Sequence, residues 1–141
     1  MADYGDYAKY VVQHMWADAP LPPMPAGTVT NMTYLDGNTI PGAFNVICAW
    51  FEPRTEPLVV IPNAHTHDTH EVVCFYGTNP DDYRDLCGEI EMYLEDQKIT
   101  ITKSGLVYIP AGMSHSPLTI IRADRPIFHF SAVTESEWIM K

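Results

Sequence analysis

Residues 65–76 read His-Thr-His-Asp-Thr-His-Glu-Val-Val-Cys-Phe-Tyr, and residues 110–115 read Pro-Ala-Gly-Met-Ser-His. The first stretch passes from a histidine-rich polar block into an apolar run of the kind that forms a buried strand. Four of the six histidines of the chain fall in these two stretches. Imidazole and carboxylate groups are ligands that divalent transition metals prefer. The two stretches therefore predict a metal site set among strands.

Parity within the first stretch separates its candidate ligands. In an extended segment alternate residues point the same way, so His65, His67 and Glu71 share one face. His70 has the opposite parity and would join them only through a β-bulge. We predict that His65, His67, Glu71 and His115 bind one divalent transition metal, and ligand type alone leaves Fe, Mn, Ni, Co, Cu and Zn open. The alternative is a set of polar residues at a strand edge without a metal.

Short strand candidates separated by turn residues dominate the chain from residue 29 onward. They are Val29–Leu35, Phe44–Phe51, Leu58–Pro62, Glu71–Tyr76, Ile90–Leu94, Lys98–Thr102, Leu106–Ile109, Leu118–Arg122 and Ile127–Val133. Many short strands at this spacing predict an all-β sandwich, barrel or jelly roll. The stretch 77–88 is acidic and contains turn residues, so we expect an exposed loop there.

The segments outside the strands complete the expected organisation. Residues 4–16 have roughly helical spacing of apolar side chains, and residues 19–27 hold four of the twelve prolines. We therefore expect an N-terminal helix or arm with a proline-rich connector over residues 1–28. A β-barrel would follow over residues 29–133, and a short tail over residues 134–141.

Composition excludes several classes of function. The net charge is −10 and the eight Lys and Arg residues are scattered, which disfavours nucleic acid and anionic membranes as partners because both require a basic surface. No apolar run is long enough to cross a membrane, and the acidic N-terminus does not resemble a secretory signal. Three cysteines without a CxxC motif (Cys48, Cys74 and Cys87) indicate a reducing cytoplasm.

The two histidine stretches also resemble the two motifs of the cupin superfamily. The first motif is matched by His65-x-His67, three residues, Glu71, five residues and Gly77. The second is matched by Gly105, four residues, Pro110-x-Gly112-x-x-His115, three residues and Thr119. The departures are Val59 in place of a glycine before the first histidine, glycine spacings that are one residue short, and Thr119 in place of asparagine.

The resemblance covers about residues 44–133 and is that of a small single-domain cupin. It implies a double-stranded β-helix, which is a jelly-roll barrel, with the metal inside its mouth. The Pro110-Ala-Gly112 turn would lie at the rim and would let His115 begin the next strand facing inward. Cupin relatives include dioxygenases, isomerases, epimerases and lyases, so the resemblance does not select a reaction.

Other residues have weaker indications. His129, Trp50 and Tyr108 are candidates for the substrate pocket or for contacts behind the metal ligands, although His129 would also fit as a hydrogen-bonded core histidine. Glu89 and Glu91 share one strand face, which is either a solvent face or a pair of acid–base carboxylates. His14 is expected at the surface or at an interface.

Two accounts of function follow from these residues. The first is a metal-dependent enzyme acting on a small molecule, either as a dioxygenase-like oxidoreductase or as a Lewis-acid isomerase or lyase. The second is a non-catalytic cupin that binds or senses a metal or metabolite. A homodimer is expected in both cases, because an exposed sheet edge or apolar face needs a cover.

Overall fold

The computed structural model describes residues 5–13 and 24–135, which leaves His14 and most of the predicted C-terminal tail outside the described residues. A short 3-10 helix, Gly5–Tyr10, has no buried residue. Nine strands follow: β1 (Val29–Leu35), β2 (Asn45–Phe51), β3 (Leu58–Ile61), β4 (Glu71–Tyr76), β5 (Asp85–Leu94), β6 (Gln97–Lys103), β7 (Gly105–Ile109), β8 (His115–Ala123) and β9 (Ile127–Val133).

The strands form two sheets that interleave the two halves of the chain. One sheet has five strands in the order β1-β2-β9-β4-β7, and the other has four in the order β3-β8-β5-β6. Every pairing between these strands is antiparallel. Strand β9 thus lies between β2 and β4, and β8 lies between β3 and β5. This is the arrangement of a jelly roll, and the prediction of an all-β fold is confirmed.

A period-two burial pattern directs one face of each central strand into the barrel. Buried and half-buried residues alternate along the whole of β2 and β9. The inward side chains meet between the sheets, where Phe51, Phe75, Ile90, Ile120 and Ile127 are at most 1% exposed. Each such side chain contributes about 1.5–3 kcal/mol by leaving water, so this core fixes which face of each strand looks inward.

Two strands begin earlier than the sequence predicts. Strand β5 starts at Asp85 and includes the end of the expected loop, and β8 starts at His115. Position 88 of β5 requires glycine, because a Cβ atom there would lie 2.7 Å from the Arg122 carbonyl oxygen. Pro117 lies at a shift in the pairing of β8 with β5, which is a position where a strand tolerates a residue without an N–H group.

The outer face of the five-stranded sheet is apolar as well. Leu106 is 60% exposed and Tyr108 is 56% exposed, and the rings of Trp50 and Phe128 pack together with centroids 5.2 Å apart. Among the described residues, no helix is long and apolar enough to cross a membrane.

Candidate metal centre

The two histidine stretches are joined directly by backbone hydrogen bonds. His65 N–H donates to the His115 carbonyl at 3.0 Å, and His115 N–H donates back to the His65 carbonyl at 3.0 Å. This antiparallel bridge attaches the segment before β4 to the first residue of β8. It places the two side chains next to each other, with ring centroids 4.2 Å apart.

The turn over Pro110–Met113 makes a second connection between the stretches. Met113 N–H closes the turn on the Pro110 carbonyl at 3.1 Å, and Gly112 N–H donates to the His67 carbonyl at 2.9 Å. Gly112 has a φ of 81°, which a glycine adopts without strain. The predicted link between the halves through this turn is therefore present.

The four predicted ligands converge on one point. Ligand nitrogens of His65, His67 and His115 all lie within 4.8 Å of one another. Glu71 Oε1 lies 3.4 Å from His67 Nε2 and 2.9 Å from His115 Nε2. All four residues are buried, with side chains facing the barrel interior. The geometry therefore brings together the complete predicted set.

Hydrogen bonds on the far side of two rings fix which nitrogen carries a proton. His65 Nδ1 lies 3.0 Å from the Asn63 carbonyl, and His115 Nδ1 lies 3.0 Å from the Met113 carbonyl. A carbonyl oxygen only accepts, so Nδ1 must be the protonated nitrogen in each neutral ring. The Nε2 lone pairs of these rings are then available inside the cluster. This arrangement is the one that metal-binding histidines adopt.

Electrostatics favour an ionised carboxylate at Glu71. Burial alone would raise the pKa of Glu71, but His115, His67 and the Ser131 hydroxyl stabilise the carboxylate more strongly and lower its pKa. Ser131 Oγ donates to Glu71 Oε2 at 2.5 Å. Burial lowers the pKa of His65, and the neighbouring histidines act in the same direction. The site therefore provides an anionic carboxylate, and the lowered pKa of His65 favours a neutral imidazole close to it.

The cluster opens into a cavity between the two sheets. The cavity has a volume of about 50 Å³, and His65, Glu71 and His115 line one part of it. Most of the remaining wall is apolar, formed by residues such as Ile47, Phe51, Val60, Val73, Met92 and Leu118. His129 also lines this cavity, as the sequence suggested. The cluster is therefore accessible to a small ligand from the barrel interior.

Two predicted pocket residues do not lie in the cavity, and this prediction is wrong. Trp50 follows the inward-facing Ala49 on β2 and points to the opposite side of the sheet, against Phe128. Tyr108 is 56% exposed on β7, between the less exposed Val107 and Ile109. The alternation of the strands carries both aromatic rings to the outer face.

The other candidates also fall outside the cluster. His70 is exposed, and its Nδ1 accepts a hydrogen bond from Ala111 N–H at 3.0 Å, so it supports the Pro110–Met113 turn from outside. Glu89 and Glu91 are half-buried on the face of β5 opposite the buried Ile90, and Glu91 lies 3.6 Å from the Lys98 ammonium group. They form a solvent face.

Ser131 is the site residue that sequence reasoning missed. It lies on the inner face of β9, two residues after His129, and holds Glu71 through its hydroxyl. Because Ser131 lies two residues after His129, alternation along the strand would have indicated that both side chains point to the same face. Nothing in its own residue type indicates a partner five strands earlier in the chain, because serine hydroxyls are common on β-strands.

Comparisons with known proteins identify the fold. No protein-family model matches the sequence, and no curated protein matches it. The S161A mutant of Bacillus subtilis oxalate decarboxylase superposes with a TM-score of 0.53 and 14% identity, over 97% of this chain and 36% of that one. A Klebsiella pneumoniae protein with a double-stranded β-helix domain gives 0.51 and 12%, over 86% and 88% of the two chains. Procruciferin, an 11S globulin from Brassica napus, gives 0.55 and 8%, over 86% and 29%.

At these identities the similarity shows the fold alone. The chain has the cupin fold, a double-stranded β-helix barrel, and the resemblance read from the two histidine stretches is confirmed at that level. The chain spans about a third of the length of oxalate decarboxylase, of which it covers 36%.

Proposed function

We propose that His65, His67, Glu71 and His115 bind one divalent transition metal. The convergence of three buried imidazoles and one buried carboxylate carries this proposal. His115 Nε2 and Glu71 Oε1 lie 2.9 Å apart and are shielded from water. A carboxylate oxygen and an imidazole nitrogen at this distance need a positive charge between them, either a proton or a metal ion. A metal ion bound by both atoms supplies that charge and fits the donor set.

The chain orients the side chains that would bind such an ion. The Asn63 and Met113 carbonyls orient two imidazole rings, and Ser131 holds the carboxylate of Glu71. Three imidazoles and one carboxylate leave coordination positions open on a six-coordinate ion. When bound, the metal would supply Lewis acidity or, with Fe(II), reactivity towards dioxygen. Oxalate decarboxylase from Bacillus subtilis, which has Mn(II) centres, gives a precedent for metal on this fold.

We further propose that the protein is an enzyme acting on a small molecule in the cavity. The support is that the cluster faces a cavity whose walls are largely apolar. Apolar walls exclude water from the reacting groups and hold the body of a substrate. The reaction class stays open between dioxygenase-like oxidation and Lewis-acid isomerisation or elimination.

A substrate screen tests the enzymatic proposal. Metal-loaded protein would be incubated with a panel of small hydroxy, oxo and carboxy compounds, and products would be followed by NMR spectroscopy. We expect at least one compound to be converted by wild type, with conversion lost after chelation and in the His67→Ala variant. His70→Asn is the matched control, because it removes an exposed imidazole outside the cluster but keeps a side-chain acceptor for Ala111 N–H. Conversion that persists in His67→Ala would contradict a metal-dependent reaction.

A binding or sensor protein is the second candidate. Among the described residues that line the cavity, His129 is the one titratable side chain besides the proposed ligands. A general acid or base separate from the metal cluster is therefore not evident. Under this account, compounds from the same panel would bind to the metal-loaded protein and be recovered unchanged.

We also propose that two chains associate through the outer face of the five-stranded sheet. This face presents a cluster of apolar side chains, among them Trp50, Tyr76, Leu106, Tyr108, Phe128 and Phe130. A second copy of the same apolar face would remove these side chains from water.

The free thiols of Cys48, Cys74 and Cys87 support a reducing compartment, the cytoplasm, as the place of action.

A further inference from the structure

His129 occupies a defined position on the inner wall of the cavity. It lies on β9, and its ring stacks with the rings of Phe51 and Phe75 at centroid distances of 4.9 Å and 5.1 Å and interplanar angles of 21° and 23°. Its Nδ1 lies 2.9 Å from the Cys74 carbonyl. The ring is 9% exposed, and it lines the cavity. Stacking and the hydrogen bond together fix the orientation of the ring.

The fixed orientation defines the hydrogen-bonding character of the other ring nitrogen. Because a carbonyl only accepts, Nδ1 carries the proton and donates to Cys74. Burial lowers the pKa of His129 to about 4, so the ring is neutral near pH 7 and Nε2 has a free lone pair. Among the described residues, none donates a hydrogen bond to Nε2. His129 Nε2 is therefore a fixed acceptor on the cavity wall, where Asn31 and Ser116 are further polar side chains.

The rest of the wall limits what a ligand can carry. Among the described residues that line the cavity, none is Lys or Arg. Ser131 already donates its proton to Glu71, and most other lining side chains are aliphatic or aromatic. A second carboxylate on the ligand would be buried without a counter-charge, which is costly. A hydroxyl group that reaches Nε2 would instead keep a hydrogen bond on leaving water.

We propose that His129 determines ligand specificity by accepting, through Nε2, a hydrogen bond from a ligand hydroxyl group remote from the metal-binding oxygens. The expected ligand class is a small molecule with one chelating end, an apolar body and a hydroxyl group at the other end. This inference rests on the proposed metal site, since the metal would hold the chelating end.

Matched probes test the proposal without knowledge of the natural ligand. The protein would be loaded with Co(II), whose visible absorption reports coordination. Linear hydroxamic acids that chelate the ion would then be titrated in pairs of equal chain length, with one member ending in a hydroxyl and the other in a methyl group. A series of chain lengths allows for the distance between the metal and His129. The ratio of the two dissociation constants at each length isolates the terminal group.

Three variants separate the loss of the Nε2 acceptor from a disruption of the fold. His129→Phe keeps a ring between Phe51 and Phe75 but removes both nitrogens. His129→Asn keeps a donor for the Cys74 carbonyl and has no acceptor at the position of Nε2. His129→Gln can return an oxygen near that position. At one chain length we expect the preference for the hydroxyl probe to fall roughly tenfold in the Phe and Asn variants. The Gln variant should recover part of it.

The outcomes distinguish this inference from the metal proposal beneath it. If Co(II) does not load, the metal site itself is wrong and the inference falls with it. If Co(II) loads but no hydroxamate binds, or if the hydroxyl-to-methyl ratio is the same in wild type and His129→Asn at every length, the role of His129 is wrong while the metal site stands.

Discussion

His115 Nε2 and Glu71 Oε1 face each other at 2.9 Å inside the barrel, and each belongs to a residue that is held from behind. The Met113 carbonyl fixes the His115 ring, and the Ser131 hydroxyl fixes the Glu71 carboxylate. These hydrogen bonds hold the imidazole nitrogen and the carboxylate oxygen close together, at a distance that needs a positive charge between them. A proton supplies that charge, or a metal ion would supply it under the proposed function.

Replacing Glu71 by glutamine should weaken metal binding much more than it affects the metal-free protein. In Glu71→Gln the amide group can donate to His115 Nε2 while its oxygen still accepts from Ser131 Oγ. We expect the metal-free variant to stay within about 1 kcal/mol of wild type in free energy of unfolding. Its stabilisation by added metal should be much smaller, because the amide carries no negative charge. Thermal unfolding with chelator and with metal measures both, and equal stabilisation by metal in the two proteins would contradict Glu71 as a ligand.

Ser131 should act on metal affinity through Glu71. Ser131→Ala removes the hydroxyl that orients the carboxylate, and losses of about 10–100-fold in affinity are typical when such a supporting hydrogen bond is removed. Competition with a chromophoric chelator measures the dissociation constant. Ser131→Thr, which retains the hydroxyl, is the matched variant and should recover most of the affinity. Equal affinity of the Ala variant and wild type would show that Ser131 does not position Glu71.

Burial of neutral His129 should make the metal-free protein sensitive to mild acid. Its pKa is about 4 in the folded protein and about 6.5 in the unfolded chain. Between these values the unfolded chain binds more protons, so stability falls as pH is lowered through this window, by about 3 kcal/mol at most. His129→Phe should lose this component. The contributions of Glu71 and His65 are common to both proteins and cancel in the difference. Parallel stability–pH curves for the two proteins would contradict the assignment.

Association through the outer sheet face should be broken by one charge. In Leu106→Glu, a carboxylate would replace a side chain that is 60% exposed in the single chain, and burial of that charge against a second apolar face is unfavourable. We expect wild type to be a dimer and the variant a monomer by light scattering. Val59→Glu is the control, because Val59 is 49% exposed on β3 of the other sheet. A monomeric wild type would refute the proposed dimer.

Alternating sequence patterns predicted most of the barrel, because burial on one face of a strand leaves a period-two signal. The bounds of β1, β4 and β9 agree with the predicted ones. The apolar pattern alone placed the starts of β5 and β8 too late, because Gly88 and Pro117 normally interrupt strands, whereas the expectation that His115 begins a strand agrees with the structure. Position 88 has no room for a Cβ atom beside the Arg122 carbonyl oxygen, and Pro117 lies beside a register shift.

The candidate site was predicted partly for the wrong reason. Parity grouped His65 and His67 with Glu71, but the segment between His67 and Glu71 is a bend and not a continuous strand. The bridge from His65 to His115 and the contact of Gly112 with His67 bring the side chains together instead. These are contacts between residues distant in sequence, and no local pattern encodes them.

Trp50 shows a different limit of parity. Both faces of β2 are largely apolar, with Ile47, Ala49 and Phe51 inward and Cys48 and Trp50 outward. Alternation then shows that two faces exist but not which of them points into the barrel. An apolar outer face, such as the one proposed for dimerisation, removes the polarity difference that would have decided it.

Metal content after loading tests the central claim most directly. Purified wild type, His115→Ala and the control His70→Asn would be stripped with chelator, equilibrated with a divalent metal, freed of excess and analysed by mass spectrometry of the metal. The proposed site predicts about one ion per chain in wild type and in His70→Asn, and a large loss in His115→Ala. Equal metal content in wild type and His115→Ala would contradict the four-residue centre.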